Sequence, residues 1–348
     1  MVALQSVDSS SNSGSSATIS AVHHDVLRSH ILNRLDGPAL AALSSASPDL
    51  RSTISTDDEL WRNICASTWP SVNNPELASL IPTFNHGYRS FFSDSFPAIH
   101  LSGATGNPDP EITGLISAVD IYYGDSPIFS KVAETETVTS WFQTAPFRIE
   151  LLEAKEVVPT GIRDYSAGSA AAGKEAEDAW LRQLEENLRV SWIVIDPAGR
   201  RSANLSSGVA VAARHHWLTG EVQVKFSTVA AEGAEGEGGE AAECGVVVTC
   251  GGEEGGEVHV RDIYLGMEDM EGRSLCGRDS LGILRGAMEG ERRRRVETRE
   301  EGKEKYERFL ERKREWKRRV ERREKVLDTL CVATGVAFFL TFLAFLLM

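Results

Sequence analysis

Histidines, cysteines and glycine-rich turns are the residues of this chain that could do chemistry, and their spacing offers little of it. His23-His24 and His215-His216 stand as adjacent pairs. Neighbouring positions point to opposite sides of a strand or diverge around a helix, unlike the i, i+4 pair that grips a metal from one helix face. Five cysteines, Cys65, Cys244, Cys250, Cys276 and Cys331, lack CxxC spacing, so neither a zinc site nor a disulfide framework is expected, and a reducing compartment fits. The stretch GGEEGGE at 251–257 is glycine-rich, but its glutamates repel phosphate and no Lys-Ser/Thr follows. Asn204-Leu-Ser matches the glycosylation triplet, a pattern common by chance. With no triad, carboxylate dyad or metal set, the expectation is a non-catalytic binding protein without metal or cofactor.

Two domains, or one large one, then present surfaces rather than reactive groups. The 348 residues, 38.0 kDa and 41% hydrophobic, suffice for a buried core. A net charge of −14 argues against nucleic acid as a partner, although the C-terminal region is basic. Residues 1–20 are rich in Ser and Gly without a secretory apolar run, and read as a flexible tail. From Asp25, a candidate cap, Leu27, Ile31 and Leu35 recur every four residues, which predicts one apolar helix face. Pro38 opens a second helix carrying Leu40 and Leu43, and a third starts near Ser47-Pro48. TDDE at 56–59 fits a capping box of Thr56 with Glu59 ahead of Leu60, Trp61, Ile64 and Cys65. This helical module, 21–70, is too small to bury every apolar side chain, so one surface should meet a partner. Residues 71–97 read as a connector whose Tyr88, Phe91, Phe92 and Phe96 line a ligand site or, as aromatics this dense more often do, pack a junction between domains.

Beyond Pro97 the period changes. ISAVDIYYG, PIFSKVAE, FRIELLE, LRVSWIVID, GEVQVKFSTV, CGVVVTC and GEVHVRDIYL are short, β-branched and separated by turn residues. They predict a mostly antiparallel, sandwich-like domain over 98–286, with one wet face where Val222-Val224-Phe226 and Val258-Val260 alternate. One helix carries Trp180, Leu184 and Leu188 on one side, and the Gly/Glu run 231–243 reads as a surface loop. Residues 287–325 are densely charged and predict a solvated basic helix. From Thr329 to Met348 no charge appears. That length spans about 30 Å as a helix, enough for a bilayer core, and predicts a tail anchor over 326–348. Lys and Arg beside it would keep the domains in the cytosol, on the endoplasmic reticulum or another organelle surface; without an anchor the chain would be cytosolic or nuclear.

The stretch DVLRSHILNRLDGPALAALSSASPDLRSTISTDDELWRNIC resembles an F-box, with its ILxxL opening, central leucine pair and closing LW. The continuation STWPS and GYRSFFSDSFP is similar to one plant group of F-box proteins, to about residue 286. Where F-boxes usually open with Leu-Pro, this chain has His23-His24-Asp25. The resemblance implies an α+β chain whose helices dock on a Skp-type adaptor, and through it a cullin, while the β-rich region chooses a target protein for ubiquitination. It makes Leu27, Ile31, Leu32, Leu35, Leu40, Leu43 and Trp61 the candidates for adaptor contact or internal packing. The other reading is a tail-anchored lectin-like or peptide-binding module with a vestigial F-box.

Overall fold

The computed structural model describes residues 23–96, 101–102, 112–153, 155–163, 173–231, 241–252, 256–289 and 299–347. The tail at 1–20, most of the Gly/Glu run (232–240) and the arginine run 292–295 lie outside them. Helices come first and antiparallel sheets follow, then a long helix with an apolar end, in the α+β class. The chain divides into two compact units between Ile64 and Cys65.

In the first unit, α1 (His24–Val26) runs into a π-helical turn, Leu27–Ile31, and a 3-10 turn, Leu32–Arg34. Next come α2 (Gly37–Ala46), α3 (Pro48–Thr56) and the start of α4 (Asp58–Thr68). Asp36 caps α2, its carboxylate accepting the Ala39 N–H at 2.8 Å, with Pro38 in the first turn. The capping box expected at Thr56 and Glu59 does not form. Thr56 is still part of α3, where its hydroxyl donates to the Ser52 carbonyl (3.0 Å), so the cap falls one residue later and Asp57 accepts the Leu60 N–H at 3.0 Å. Glu59 is drawn instead to Arg28, at 2.7 Å.

The second unit opens with a 3-10 turn, Pro70–Asn73, then α5 (Pro75–Leu80), another 3-10 turn (Ile81–Thr83) and α6 (Gly87–Ser95). Trp69 meets Phe91 edge-on at 5.9 Å and Phe92 at 5.4 Å, and Phe92 stacks on Phe96. There follow β1 (Leu101–Ser102), β2 (Gly114–Tyr123), β3 (Ser126–Glu136), α7 (Ser140–Thr144), β4 (Arg148–Glu150), β5 (Val158–Arg163) and α8 (Gly173–Asn187). After them stand β6 (Leu188–Asp196), β7 (Arg201–Asn204), β8 (Gly208–Val209), β9 (Ala212–His215), β10 (Val222–Ala231), β11 (Ala241–Gly251) and β12 (Glu257–Glu268). The unit closes with α9 (Gly277–Glu289) and α10 (Arg299–Leu346).

A seven-stranded sheet runs β1-β10-β11-β12-β4, with β5 also on β12 and β9 on β10; a five-stranded sheet runs β3-β2-β6-β7, with β8 on β6. The pairings are antiparallel except β1 on β10. One core joins the sheets: Val119, Ile121, Trp192 and Val194 from the smaller, Val224, Phe226, Val246, Ile263 and Leu265 from the larger, with Trp180 and Leu184 of α8. Leu188, expected on that helix, already belongs to β6, although it reaches the same core. In β12 the inward residues switch from Val258 and Val260 to Ile263, Leu265 and Met267. A bulge causes the switch: Thr249 pairs with Asp262 but Cys250 with Val260, leaving Arg261 unopposed.

The alternation expected at Val222-Val224-Phe226 and Val258-Val260 is present in the seven-stranded sheet, where Gln223, Lys225 and His259 between them are half-buried. In the five-stranded sheet the outward face of β2 and β6 is covered, while β3 exposes Ser130, Glu134 and Glu136. Ile116, Ala118, Ile193 and Ile195 point away from the shared core and are still buried, because the 3-10 turn Pro70–Asn73 lies against β2 and β3, and α6 against β7. Asp120 sits on this face, fully buried. Its Oδ1 accepts the Ser71 N–H (2.8 Å) and the Ser130 hydroxyl (2.7 Å), and its Oδ2 the Ser71 hydroxyl (2.6 Å). Burial pushes its pKa up, and those three donors only partly offset it. A raised native pKa means the folded state holds this proton more tightly than the unfolded chain, so the carboxylate costs stability as pH rises above about 4. Asp120→Asn can satisfy the same three partners, since its amide can donate to the Ser71 hydroxyl. It is expected to gain stability over the wild type between about pH 4 and 7. Asp120→Ala strands those donors and should lose about 2–4 kcal/mol at pH 7; thermal melts of both variants across pH are the measurement.

The charged C-terminal helix is not solvated throughout. Tyr306 and Phe309, three residues apart, pack with Leu310 against Val211, Val229 and Met270. Lys303 pairs with Glu185 at 2.7 Å and Lys313 with Glu268 at 3.3 Å. Beneath them Glu243, 2% exposed, accepts from Lys225 at 2.6 Å. Three apolar residues on one side suffice to dock a helix whose composition is otherwise polar.

Candidate protein-interaction site

The seven residues singled out in the first unit separate by burial. Leu27, Leu32, Leu40 and Trp61 are internal, and the Trp61 indole N–H donates to the Ile54 carbonyl at 2.9 Å, as a buried tryptophan requires. Leu35 and Leu43 are half-buried. Ile31 is 40% exposed.

The four-residue row Leu27, Ile31, Leu35 therefore does not form one face, and the backbone gives the reason. The Leu32 N–H reaches back to both the Arg28 and the Leu27 carbonyls, the second being the i to i+5 bond of a π turn. The wider turn places Leu32, not Ile31, beneath Leu27 and swings Ile31 outward. Val26, 46% exposed and five residues before Ile31, stands at the other end of this turn; the four-residue recurrence does not mark it. Arg28 fixes the turn from the side by pairing with Asp57 at 2.5 Å and with Glu59. Those carboxylates hold the guanidinium pKa above its ordinary value, the Asp57 hydrogen bond most of all.

In the second unit the hairpin joining β9 to β10 carries Trp217 and Leu218 at 88% and 70% exposure. The turn is fixed by its own hydrogen bonds: His216 N–H to the Glu221 carbonyl (2.7 Å), Gly220 N–H to the His216 carbonyl (2.9 Å), and the His216 ring to the Thr219 hydroxyl (3.1 Å). Gly220, at φ 73°, supplies the left-handed conformation that closes it. A cavity of about 250 Å³ lies behind, lined by Trp180, His215, Thr219, Glu221, Cys250 and Arg261. Two of its lining residues have partners close by: Arg261 lies 3.4 Å from Glu221, and the His215 ring 3.1 Å from Glu177. Burial pushes the Cys250 thiol up to about 12, as it does Cys244, which leaves neither as a nucleophile at neutral pH. Asn204 is buried, its amide donating to the Ser191 hydroxyl and its carbonyl accepting from Trp192 N–H, so the glycosylation triplet is part of the interior. Among the described residues no group of three His, Cys, Asp or Glu side chains could hold a metal ion. What these surfaces offer is shape, apolar area and charge.

The third surface is the end of α10, a helix long and apolar enough to cross a membrane, with none of its most apolar window buried.

No family model matches the chain, and no solved structure matches it. Three curated relatives from Arabidopsis thaliana do. The chain is 42% identical to F-box protein At2g27310 over 95% of its own length and 97% of the relative's. It is 44% identical to F-box protein At3g44326, over 90% and 85%. With the probable F-box protein At2g36090 it shares 43% identity over 94% and 93%. Matches of this identity each extend over nine-tenths or more of the chain, and on them the chain belongs to the plant F-box protein family.

Proposed function

We propose that this chain is the non-catalytic, target-receiving subunit of a Skp-cullin ubiquitin ligase, tethered to a membrane. The first unit holds the adaptor and the second holds a target protein. Ubiquitin transfer then follows from proximity, because tethering raises the effective concentration of a target lysine near the ligase's partner enzyme. The reading is carried by family membership together with one local observation, the apolar Ile31 held outward by the π turn. Leu35 and Leu43, half-buried beside the helices, are assigned to the edge of the same contact, and Leu27, Leu32, Leu40 and Trp61 to supporting it from within. Residues 326–348 are assigned to the membrane, with both units on the cytosolic side.

Co-purification with a plant Skp-type adaptor tests it. Ile31→Asp puts a charge into the proposed contact without entering the core, and should weaken adaptor capture by about 30-fold or more, since an unpaired interfacial charge costs at least about 2 kcal/mol. Leu32→Asp, in the core, should unfold the unit, so circular dichroism separates the two effects. A folded Ile31→Asp protein that still captures the adaptor at wild-type strength would overturn the assignment.

A further inference from the structure

The sign of charge changes abruptly along this chain, and α10 converts the change into geometry. In the second unit residues 65–289 contain 16 Lys and Arg against 33 Asp and Glu, whereas residues 299–325 contain 13 against 8. Just before the uncharged run stand Arg318, Arg319, Arg322, Arg323 and Lys325, all exposed. Arg319 lies 3.5 Å from Glu315 of its own helix; the other four form no ion pair among the described residues.

The helix is continuous from Arg299 to Leu346. Its docked part ends at Lys313, which reaches Glu268. From there to Thr329, where the uncharged run begins, about 24 Å of helix separates the acidic sheets from the hydrocarbon boundary. At a Debye length of about 8 Å, the acidic sheets of the second unit stand roughly three screening lengths away and their charge is scarcely felt at the surface. Along the helix Arg322, Arg323 and Lys325 fall about 6–11 Å from that boundary, where basic side chains act strongly, and Arg318 stands one turn further back at about 17 Å, with a long side chain that reaches towards it.

We propose that Arg318, Arg322, Arg323 and Lys325 form a collar that binds the anionic lipid headgroups of a cytosolic leaflet, with the docked helix as a rigid strut holding the acidic sheets of the second unit clear. This rests on the membrane reading above and adds a lipid selectivity to it. The collar makes the protein prefer membranes rich in anionic lipid, and the strut lets an acidic receptor work over such a surface without being repelled.

The test uses full-length protein carrying Phe339→Asp and Leu343→Asp, which cannot insert and whose added charges oppose the effect sought. In flotation assays it should rise with phosphatidylcholine vesicles containing phosphatidylserine, fail to rise with phosphatidylcholine alone, and be released by high salt. Adding Arg318→Gln, Arg322→Gln, Arg323→Gln and Lys325→Gln should lower the partition onto phosphatidylserine vesicles by about two to three orders of magnitude, at roughly fivefold per basic residue. Circular dichroism checks that both variants keep their helix. Equal flotation on the two vesicle types, or flotation indifferent to the glutamines, would overturn the collar, as would tighter association with polyuridylate than with the anionic vesicles. Failure of the unsubstituted chain to sediment with membranes would count against the span instead, because the collar is measured here without it.

Discussion

A fragment of residues 98–325 is expected not to fold, whereas 65–325 should melt as one cooperative unit. The shorter fragment keeps every strand and the docked part of α10, yet it strips one face of the five-stranded sheet. Ile116, Ile193 and Ile195 are each buried on that face under the segment 65–96, and burying an isoleucine is worth about 1.5–3 kcal/mol. Uncovering three therefore forfeits about 5–9 kcal/mol, comparable with the whole stability of an ordinary domain. The polar bonds fail at the same time. Asp120 loses both Ser71 donors, Arg201 loses Asp94 at 3.0 Å, Ser202 loses the Ser95 hydroxyl at 3.0 Å, and Tyr122 loses the Thr68 carbonyl. Far-UV circular dichroism and the sharpness of the thermal transition decide the matter. A cooperative melt of 98–325 close to that of 65–325 would mean that the helices merely decorate the sheet.

That dependence was not legible in the sequence, for a physical reason. The alternation of Val222, Val224 and Phe226 shows that one face is buried, but β2 and β6 read as near-continuous apolar runs, which fit a strand covered on both sides as well as one covered on one. Asp120 and Ser71, 49 residues apart, carry no local mark of their pairing. The strands with strong β-branched patterns were readable to within a few residues. The short strands β7, β8 and β9 and helix α9 were not, although Leu281, Leu284 and Met288 keep helical spacing. In the first unit the helices themselves were legible, and the residue that faces out was not. A 3.6-residue period assumes α-helical turns, so one π turn moves Leu32 under Leu27 and exposes Ile31 while composition stays the same. Trp217 and Leu218 fall in a turn that pattern reading passes over, because periodicity says nothing about side chains a hairpin holds into water.

Phe339→Asp combined with Leu343→Asp is expected to move the protein from an alkali-resistant membrane pellet to the soluble fraction. From residue 329 to 347 the helix carries no charge and keeps its apolar side chains outward, Phe338 at 72%, Phe342 at 60% and Phe345 at 79% exposed. Water alone would not sustain so large an apolar surface, which is far greater than a soluble monomer presents. Position along the helix sets the size of the effect. Asp328 already stands at the edge of the run, where its carboxylate would reach the interface of a bilayer spanned by the run; a charge near the midpoint, where Phe339 and Leu343 lie one turn apart, would cost about 2.5–3.5 kcal/mol on insertion scales. Two such charges together cost about 5–7 kcal/mol, enough to turn insertion from favourable to unfavourable. Leu330→Asp, beside Asp328, should leave the protein in the pellet, and that contrast separates a bilayer from a protein partner. A partner gripping the helix along its length would be as sensitive at residue 330 as at 339, and a wild-type chain soluble without detergent would assign the run to contacts between copies of the chain.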